Sequence, residues 1–293
     1  MVISEQQLLN WSKPVSTSED EKCKNVISGV TEALRGKFGS KVSIFLQGSY
    51  KNNTNVRQDS DVDIVVRHDH FYFPNIHWLS DDDRRKYHEI HPDATYTFAD
   101  FKNDTEAALQ NYFGNAKRKN KCIYIPGNSY RVNGDVVPCF VMKRYTDLNT
   151  IDAQGIKFKA DDGSLIDSYP DQHYSNGVSK TNATGRMYKR SVRILKRIRN
   201  ELIDSGTISK ELVSSFFIEC LVYNVPNNLF TPGNYSLTLR EIITKIYNDM
   251  GDHTIADRYE EVSGLKWLFR GESKRPPENG REFMLKCWQY AGF

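Results

Sequence analysis

An apolar strand-like run, Val42-Ser43-Ile44-Phe45-Leu46, stops at Gln47-Gly48-Ser49. After eleven intervening residues a second run opens as Asp61-Val62-Asp63-Ile64-Val65-Val66. Side chains alternate faces along a strand, so Asp61 and Asp63 point the same way, roughly 7 Å apart, while Val62 and Ile64 point into a core. Two carboxylates on one face repel each other and gain nothing from burial. A hard cation with oxygen ligands, Mg²⁺ above all, is the simplest reason to hold them together. Asp135, in Asn133-Gly134-Asp135-Val136-Val137, is the candidate third carboxylate on a neighbouring strand. Two such ions about 4 Å apart activate an attacking oxygen and stabilise a leaving one in phosphoryl transfer. Gly48 permits close backbone approach to a triphosphate, and exposed N–H groups with the Ser49 hydroxyl bind its oxygens. A lone Asp-x-Asp also fits an ordinary surface strand, and a Gly-Ser pair says less. Their combination in one strand–loop–strand unit carries the reading.

The flanking sequence predicts the scaffold. Ser18 and Glu21 form a capping box before Cys23, Val26, Ile27, Val30 and Leu34, which recur at helical spacing up to Gly36 and Gly39. Residues 67–96 are polar, aromatic and weakly patterned and read as an insertion or long loop. Thr97 caps a helix that Gly114 stops. CIYIP and residues 130–137 read as strands. Beyond about residue 170 helical patterns take over, at 184–204, 209–224, 239–250 (with a Thr238/Glu241 capping box) and 279–290, and KRPPENG marks a loop. The expected class is α+β, with a core lobe over 1–170 and a helical lobe over 171–293.

Composition narrows the partners. With 40 basic against 37 acidic residues the net charge is only +3, so the chain is no generic polycation. Five scattered cysteines without CxxC spacing argue against a disulfide framework or structural zinc and for a reducing cytoplasm. No run of about 18 apolar residues suggests a membrane span, and MVISEQQLLNWSKP lacks the pattern of a signal peptide. His68, His70, His77, His88 and His91 are irregularly spaced and read as surface-loop histidines. KRKNK at 117–121 reads as a solvated turn.

The stretch QGSYKNNTNVRQDSDVDIVV, with NGDVVPC downstream and SSFFIECLVYNVP in the helical part, resembles the polymerase-β-like nucleotidyltransferases. Within them it is most similar to the bacterial CD-NTases, the cGAS/DncV-like synthases of cyclic oligonucleotides, and to their clade E cyclic dinucleotide synthases. The resemblance covers nearly the whole chain. It implies a nucleotidyltransferase core packed on a C-terminal helical lobe, with an N-terminal spine helix. It also implies Mg²⁺-dependent condensation of NTPs into a cyclic dinucleotide with release of pyrophosphate, in CBASS-type anti-phage defence. Asp61, Asp63 and Asp135 would be the catalytic metal ligands for two Mg²⁺, or Mn²⁺ in their place. The product would activate an effector protein, and no nucleic-acid activator is expected.

In the helix MYKRSVRILKRIRNEL, Lys189, Arg193 and Lys196 share a face. As a bare pattern this is commonly a solvated face; the resemblance marks Lys196 as a phosphate ligand. It likewise assigns Ser215 to the phosphates and Phe216 to stacking on a base, although Leu212, Phe216 and Cys220 also share a helical face suited to core packing. Gln47, Gly48 and Ser49 complete the expected nucleotide contacts. Ser168, two residues before Pro170, stands where uridine-accepting relatives carry asparagine, which implies purine NTPs and a dipurine product; a serine that merely caps a turn fits as well. Two rival readings remain: a template-independent synthase of RNA or linear oligoadenylate, and a non-catalytic nucleotide-binding scaffold. The C-terminal YAGF could serve as a handle for conjugation to a partner.

Overall fold

The computed structural model describes residues 3–14, 16–56, 61–92, 94–271 and 276–293, less the side chain of Thr17. Residues 57–60 of the opening motif, Asp93 of the expected insertion, and Lys274 and Arg275 of the KRPPENG loop lie outside the described residues. Contacts divide the chain into two units: Met1–Val15, Lys51–Asp59 and Asp171–Phe293 in one, Ser16–Tyr50 and Ser60–Pro170 in the other. The segments 1–15 and 51–59, which a linear division at residue 170 gives to the first lobe, therefore group with the helices.

The second unit is built on a mixed sheet. After α1 (Glu5–Trp11) of the helical unit, α2 (Thr17–Phe38) leads to β1 (Val42–Gln47), and the one-turn α3 (Gly48–Lys51) follows. The next elements are β2 (Val62–Asn75), α4 (Asp81–Ile90), α5 (Phe98–Phe113), β3 (Lys117–Arg118), β4 (Ile123–Ile125), β5 (Gly134–Asp147), β6 (Thr150–Lys159) and β7 (Leu165–Ser168). The strand order is β1-β2-β5-β4-β3, with β6 pairing β5 and β7. Only the β2–β5 pair is parallel among the described strands.

The expected apolar faces form the core. Cys23, Val26, Val30 and Leu34 of α2 are buried against Val62, Ile64, Val66, Val136 and Phe101. Burial of each large aliphatic side chain contributes about 1.5–3 kcal/mol. Thr97 caps α5 in a capping box with Asp100, and Gly114 ends the helix in the left-handed conformation. The helix start before Cys23 is different from expectation: Ser16 is the N-cap of α2, and Ser18 lies inside the helix.

Residues 67–96 are not a long loop. β2 runs on to Asn75, paired with β5 through a register shift between His68 and Tyr72. Ser80 then caps α4, accepting from Asp83 N at 3.1 Å, with three aspartates in its first turn. His68 is likewise not a loop residue. It is 5% exposed on β2, with the rings of Phe71 and Phe101 at 4.7 and 5.3 Å, and burial lowers its pKa. Residues 130–133 precede the strand that begins at Gly134.

KRKNK is exposed throughout, as expected: Lys117 and Arg118 form β3, residues 119–121 lead through the turn to β4, and side-chain bonds tie the run down. Arg118 donates to Asp161, Asn103 and Glu106. The buried Lys102 ammonium donates to the carbonyls of Lys119 (3.1 Å) and Asn120 (2.7 Å) and to Asp161 (2.9 Å).

The helical unit contains α1, α6 (Pro170–Ala183, whose first residue belongs to the sheet unit), α7 (Met187–Asp204), α8 (Ser215–Tyr223), α9 (Tyr235–Asp249), α10 (His253–Ala256) and α11 (Pro277–Ala291). Its core gathers Leu8, Val192, Leu195, Ile198, Phe217, Leu221, Ile242, Ile246, Phe283 and Cys287. α8 starts later than the pattern at 209–224 predicts, because Arg199 donates to the carbonyls of Val213 (2.6 Å) and Lys210 (3.1 Å) and so holds those residues out of a helix. α9 starts at Tyr235, capped by Asn234 and by Glu5, which accepts from Ser236 N at 2.9 Å. Thr238, expected as the cap, is buried one turn inside. YAGF is folded in: Ala291 is fully buried, Gly292 caps α11, and Phe293 packs on Trp288 and Arg240. Among the described residues no helix is long and apolar enough to cross a membrane.

Candidate active site

Strand register assembles one row across the sheet. Gln47 is opposite Asp63, Asp63 opposite Asp135, and Asp135 opposite Tyr124. Adjacent strands lie about 4.8 Å apart, and residues in register share a face, so this row sets Gln47, Asp63, Asp135 and Tyr124 side by side. Asp61 precedes β2 by one residue and is exposed; Val62 and Ile64 are fully buried on the other face.

Gly48 is fixed by this row in two ways. Its φ is +66°, a conformation that L side chains avoid, and a Cβ there would stand 1.9 Å from Asp63 Oδ2. The carboxylate thus lies directly over the glycine that turns β1 into α3. Ser49 follows in the first turn of α3.

The carboxylates have protein partners. Asp61 Oδ1 accepts from Asn133 Nδ2 at 2.9 Å, and Asn133 Oδ1 in turn accepts from Tyr124 Oη (2.7 Å) and Gly127 N (2.8 Å). Lys119 Nζ stands 3.4 Å from Asp135 Oδ1 and 3.7 Å from the centroid of the Tyr124 ring. Burial and the neighbouring Asp135 push the Cys122 thiol up to about 12, so this cysteine is a protonated packing residue and no nucleophile. As the side chains stand, no three His, Cys, Asp or Glu groups among the described residues converge as a metal cage. The donor set is nonetheless all carboxylate oxygen, neighbouring in register, which suits a hard divalent cation and not a soft one. Asn133, which orients Asp61, was missed in the sequence although it sits in the same Asn-Gly-Asp triplet. An amide beside a carboxylate has no period to betray it.

Ser168 belongs to the same sheet but not to the row. It pairs with Ile156, which pairs with Val141, six residues along β5 from Asp135. It is half-buried at the end of β7. Gly155 leaves room for it: a Cβ there would meet Ser168 O at 2.4 Å.

In the helical unit Lys196, Ser215 and Phe216 occupy α7 and the first turn of α8. The charged face of α7 is not solvated. Lys196 is 2% exposed, donating to Thr54 O (3.0 Å) and Thr54 Oγ1 (3.3 Å), and Arg193 donates to Ser12 O (2.7 Å). Burial lowers the Arg193 pKa to about 10. Glu219 stands 3.8 Å from Lys196, accepting from Thr54 Oγ1 at 2.9 Å and from His173 Nε2 at 3.0 Å. Burial alone would raise the Glu219 pKa; the His173 hydrogen bond, the Lys196 charge and Thr54 outweigh it and hold it below the usual value. Ser215 is half-buried. Phe216 is 37% exposed, so it is not the core residue its helical spacing allows, and its ring lies 5.8 Å from that of His173.

Comparison with known proteins places this geometry. The family model described as "cGAS/DncV-like nucleotidyltransferase C-terminal helical domain" matches residues 175–292, and that described as "Nucleotidyltransferase domain" matches 27–110. The chain is 56% identical over 294 residues to a cyclic dipurine nucleotide synthase of Elizabethkingia meningoseptica, covering all of both chains. It is 40% identical over 297 residues to the cyclic dipyrimidine nucleotide synthase CdnE of Cecembia lonarensis, covering 99% of each. Among solved structures, the Elizabethkingia meningoseptica CdnE cyclic dinucleotide synthase with GTP and Apcpp superposes with a TM-score of 0.85 at 55% identity, over 99% of this chain and all of that one. Members of such nucleotidyltransferase families generally use divalent metal ions. With both lobes matched and close relatives along its full length, the chain belongs to the cGAS/DncV-like nucleotidyltransferase family, a group of cyclic nucleotide synthases.

Proposed function

We propose that this protein condenses two purine nucleoside triphosphates into a cyclic dinucleotide. In each step a ribose hydroxyl oxygen attacks an α-phosphorus, the bond to pyrophosphate breaks, and the hydroxyl proton leaves to solvent. Two such steps close the ring and release two pyrophosphates. The observation that carries the reading is the register Gln47–Asp63–Asp135, with Asp61 two residues upstream and Gly48 under the Asp63 carboxylate.

Asp61, Asp63 and Asp135 would hold two Mg²⁺, or Mn²⁺, whose chemistry when bound is to acidify the attacking hydroxyl and offset the charge of the triphosphate. Gly48 lets the backbone approach the phosphates, and the Ser49 and Ser215 hydroxyls and the Lys196 ammonium contact their oxygens. Phe216 offers its ring to a base, and Ser168 reads a base edge. Purines are favoured because Ser168 lacks the amide of asparagine, and because the relative at 56% identity is a dipurine synthase. The product would act on an effector protein in anti-phage defence inside the cell.

The test is to incubate the protein with Mg²⁺ and all four NTPs, treat with phosphatase and weigh what survives. Phosphatase-resistant material with the mass of a cyclic dipurine is expected. Linear, RNA-attached or pyrimidine-only products would overturn the proposal.

A further inference from the structure

Helix α8 reads Ser-Phe-Phe-Ile-Glu-Cys-Leu-Val-Tyr, and its one acidic residue, Glu219, is buried, at 3% exposure. Taking a carboxylate out of water costs several kcal/mol, and apolar replacements of buried ion pairs are often neutral or stabilising. Stability therefore gives a helix of this composition little reason to carry a glutamate. What sets Glu219 apart is what it holds. Oε2 accepts from Thr54 Oγ1, and Thr54 also receives the Lys196 ammonium on its carbonyl and hydroxyl oxygens. Oε1 accepts from His173 Nε2, which fixes the imidazole whose ring stands 5.8 Å from Phe216, inclined at 34°. Thr54, His173 and Lys196 come from the 51–59 segment, α6 and α7, and Phe216, beside His173, comes from the first turn of α8 itself. Two of them, Lys196 and Phe216, are residues to which the proposed function gives nucleotide contacts.

We propose that Glu219 is a positioning residue for the nucleotide: through Thr54 it sets the Lys196 ammonium, and through His173 it sets the ring of Phe216 against which a purine stacks. The inference rests on the proposed function, which gives Lys196 and Phe216 their ligand. Glutamine at 219 keeps the size of the side chain, but it drops the charge facing Lys196 and, with a single acceptor oxygen, can no longer accept from both Thr54 and His173.

The experiment is a double-mutant cycle on binding of a non-hydrolysable ATP analogue to the full chain with Mg²⁺, using wild type, Glu219→Gln, Phe216→Ala and the double variant. Glu219→Gln should weaken the dissociation constant about tenfold. The double variant should be weaker by clearly less than the product of the two single effects, since Glu219 acts partly through Phe216. Glu219→Gln binding within twofold of wild type, or strictly multiplicative effects, would overturn the positioning role; a merely structural glutamate gives the multiplicative result. If Glu219→Gln shows no cooperative thermal unfolding, His173→Gln replaces it in the same cycle, because that variant keeps a donor for Glu219 and removes only the ring. Coupling to Phe216 then supports the proposal, and its absence overturns it. A wild type that binds no ATP analogue would instead sink the proposed function, and this inference with it.

Discussion

Asp63 and Glu219 are both carboxylates among apolar neighbours, yet the two units treat them differently. Asp63 is half-buried in a row of strand partners, with Asp135 in register and Asp61 two residues upstream. Glu219 is 3% exposed, accepting from Thr54 and His173 with the Lys196 ammonium nearby. In the sheet unit three like charges are gathered side by side, with Lys119 3.4 Å from Asp135 and the Asn133 amide on Asp61. In the helical unit opposite charges are matched within the fold. Under the proposed function the first arrangement would serve a metal-bound nucleotide, and the second the placement of Lys196 and Phe216.

The contrast breaks most visibly at Lys196. Removing one member of a buried pair strands the other charge, so Lys196→Met should lower the unfolding free energy by about 3–5 kcal/mol. A denaturant titration reads this, and a loss under about 1 kcal/mol would mean that Glu219 is not held by charge. Gly48→Ala comes next. A left-handed φ at a non-glycine residue costs about 1–2 kcal/mol, and the new Cβ must displace the Asp63 carboxylate. A lower thermal midpoint together with a large drop in pyrophosphate release is expected; full activity would show that the carboxylate does not need its present position.

A smaller effect is expected at Asp161, where matched charges occur in the sheet unit. Arg118 and then Lys102 hold its carboxyl down to about 2 against an ordinary 3.8. The folded state therefore gives up this proton more readily than the unfolded chain, and the stabilisation is fully present above about pH 4 and lost as the pH falls through about 2. Wild type and Asp161→Asn should differ in thermal midpoint at pH 5 and converge towards pH 2. A gap that stays constant over that range would contradict the assignment. The smallest effect is expected at Ser168: Ser168→Asn should raise UTP incorporation severalfold in a competition of all four NTPs without altering the midpoint, and unchanged nucleotide use would remove Ser168 from base selection.

The same contrast explains what could be read in the sequence. Asp61, Asp63 and the buried Val62 and Ile64 follow from a period of two within one strand, and Gly48 from the turn that ends the preceding one. Asp135 was reachable because Gly134-Asp135-Val136 repeats the acid-then-apolar pattern. The Glu219 cluster has no such signature: Thr54, His173, Lys196 and Glu219 lie on four segments, and only packing brings them together. The face of α7 looked solvated because charge at helical spacing does not reveal whether a buried partner awaits it. Ser80-Asp81-Asp82-Asp83 did announce α4, but the aromatic residues before it obscured the continuation of β2.

The central claim, that the sheet carboxylates carry the reaction and not the fold, is tested most directly by Asp61→Asn combined with Asp63→Asn, measuring cyclic dinucleotide formation and thermal midpoint on the same preparation. The account predicts a loss of turnover of roughly 10³-fold or more, as for removal of charge-stabilising groups from an active site, with the midpoint unchanged or raised because repulsion is relieved. Turnover within tenfold of wild type in a folded double variant would contradict it.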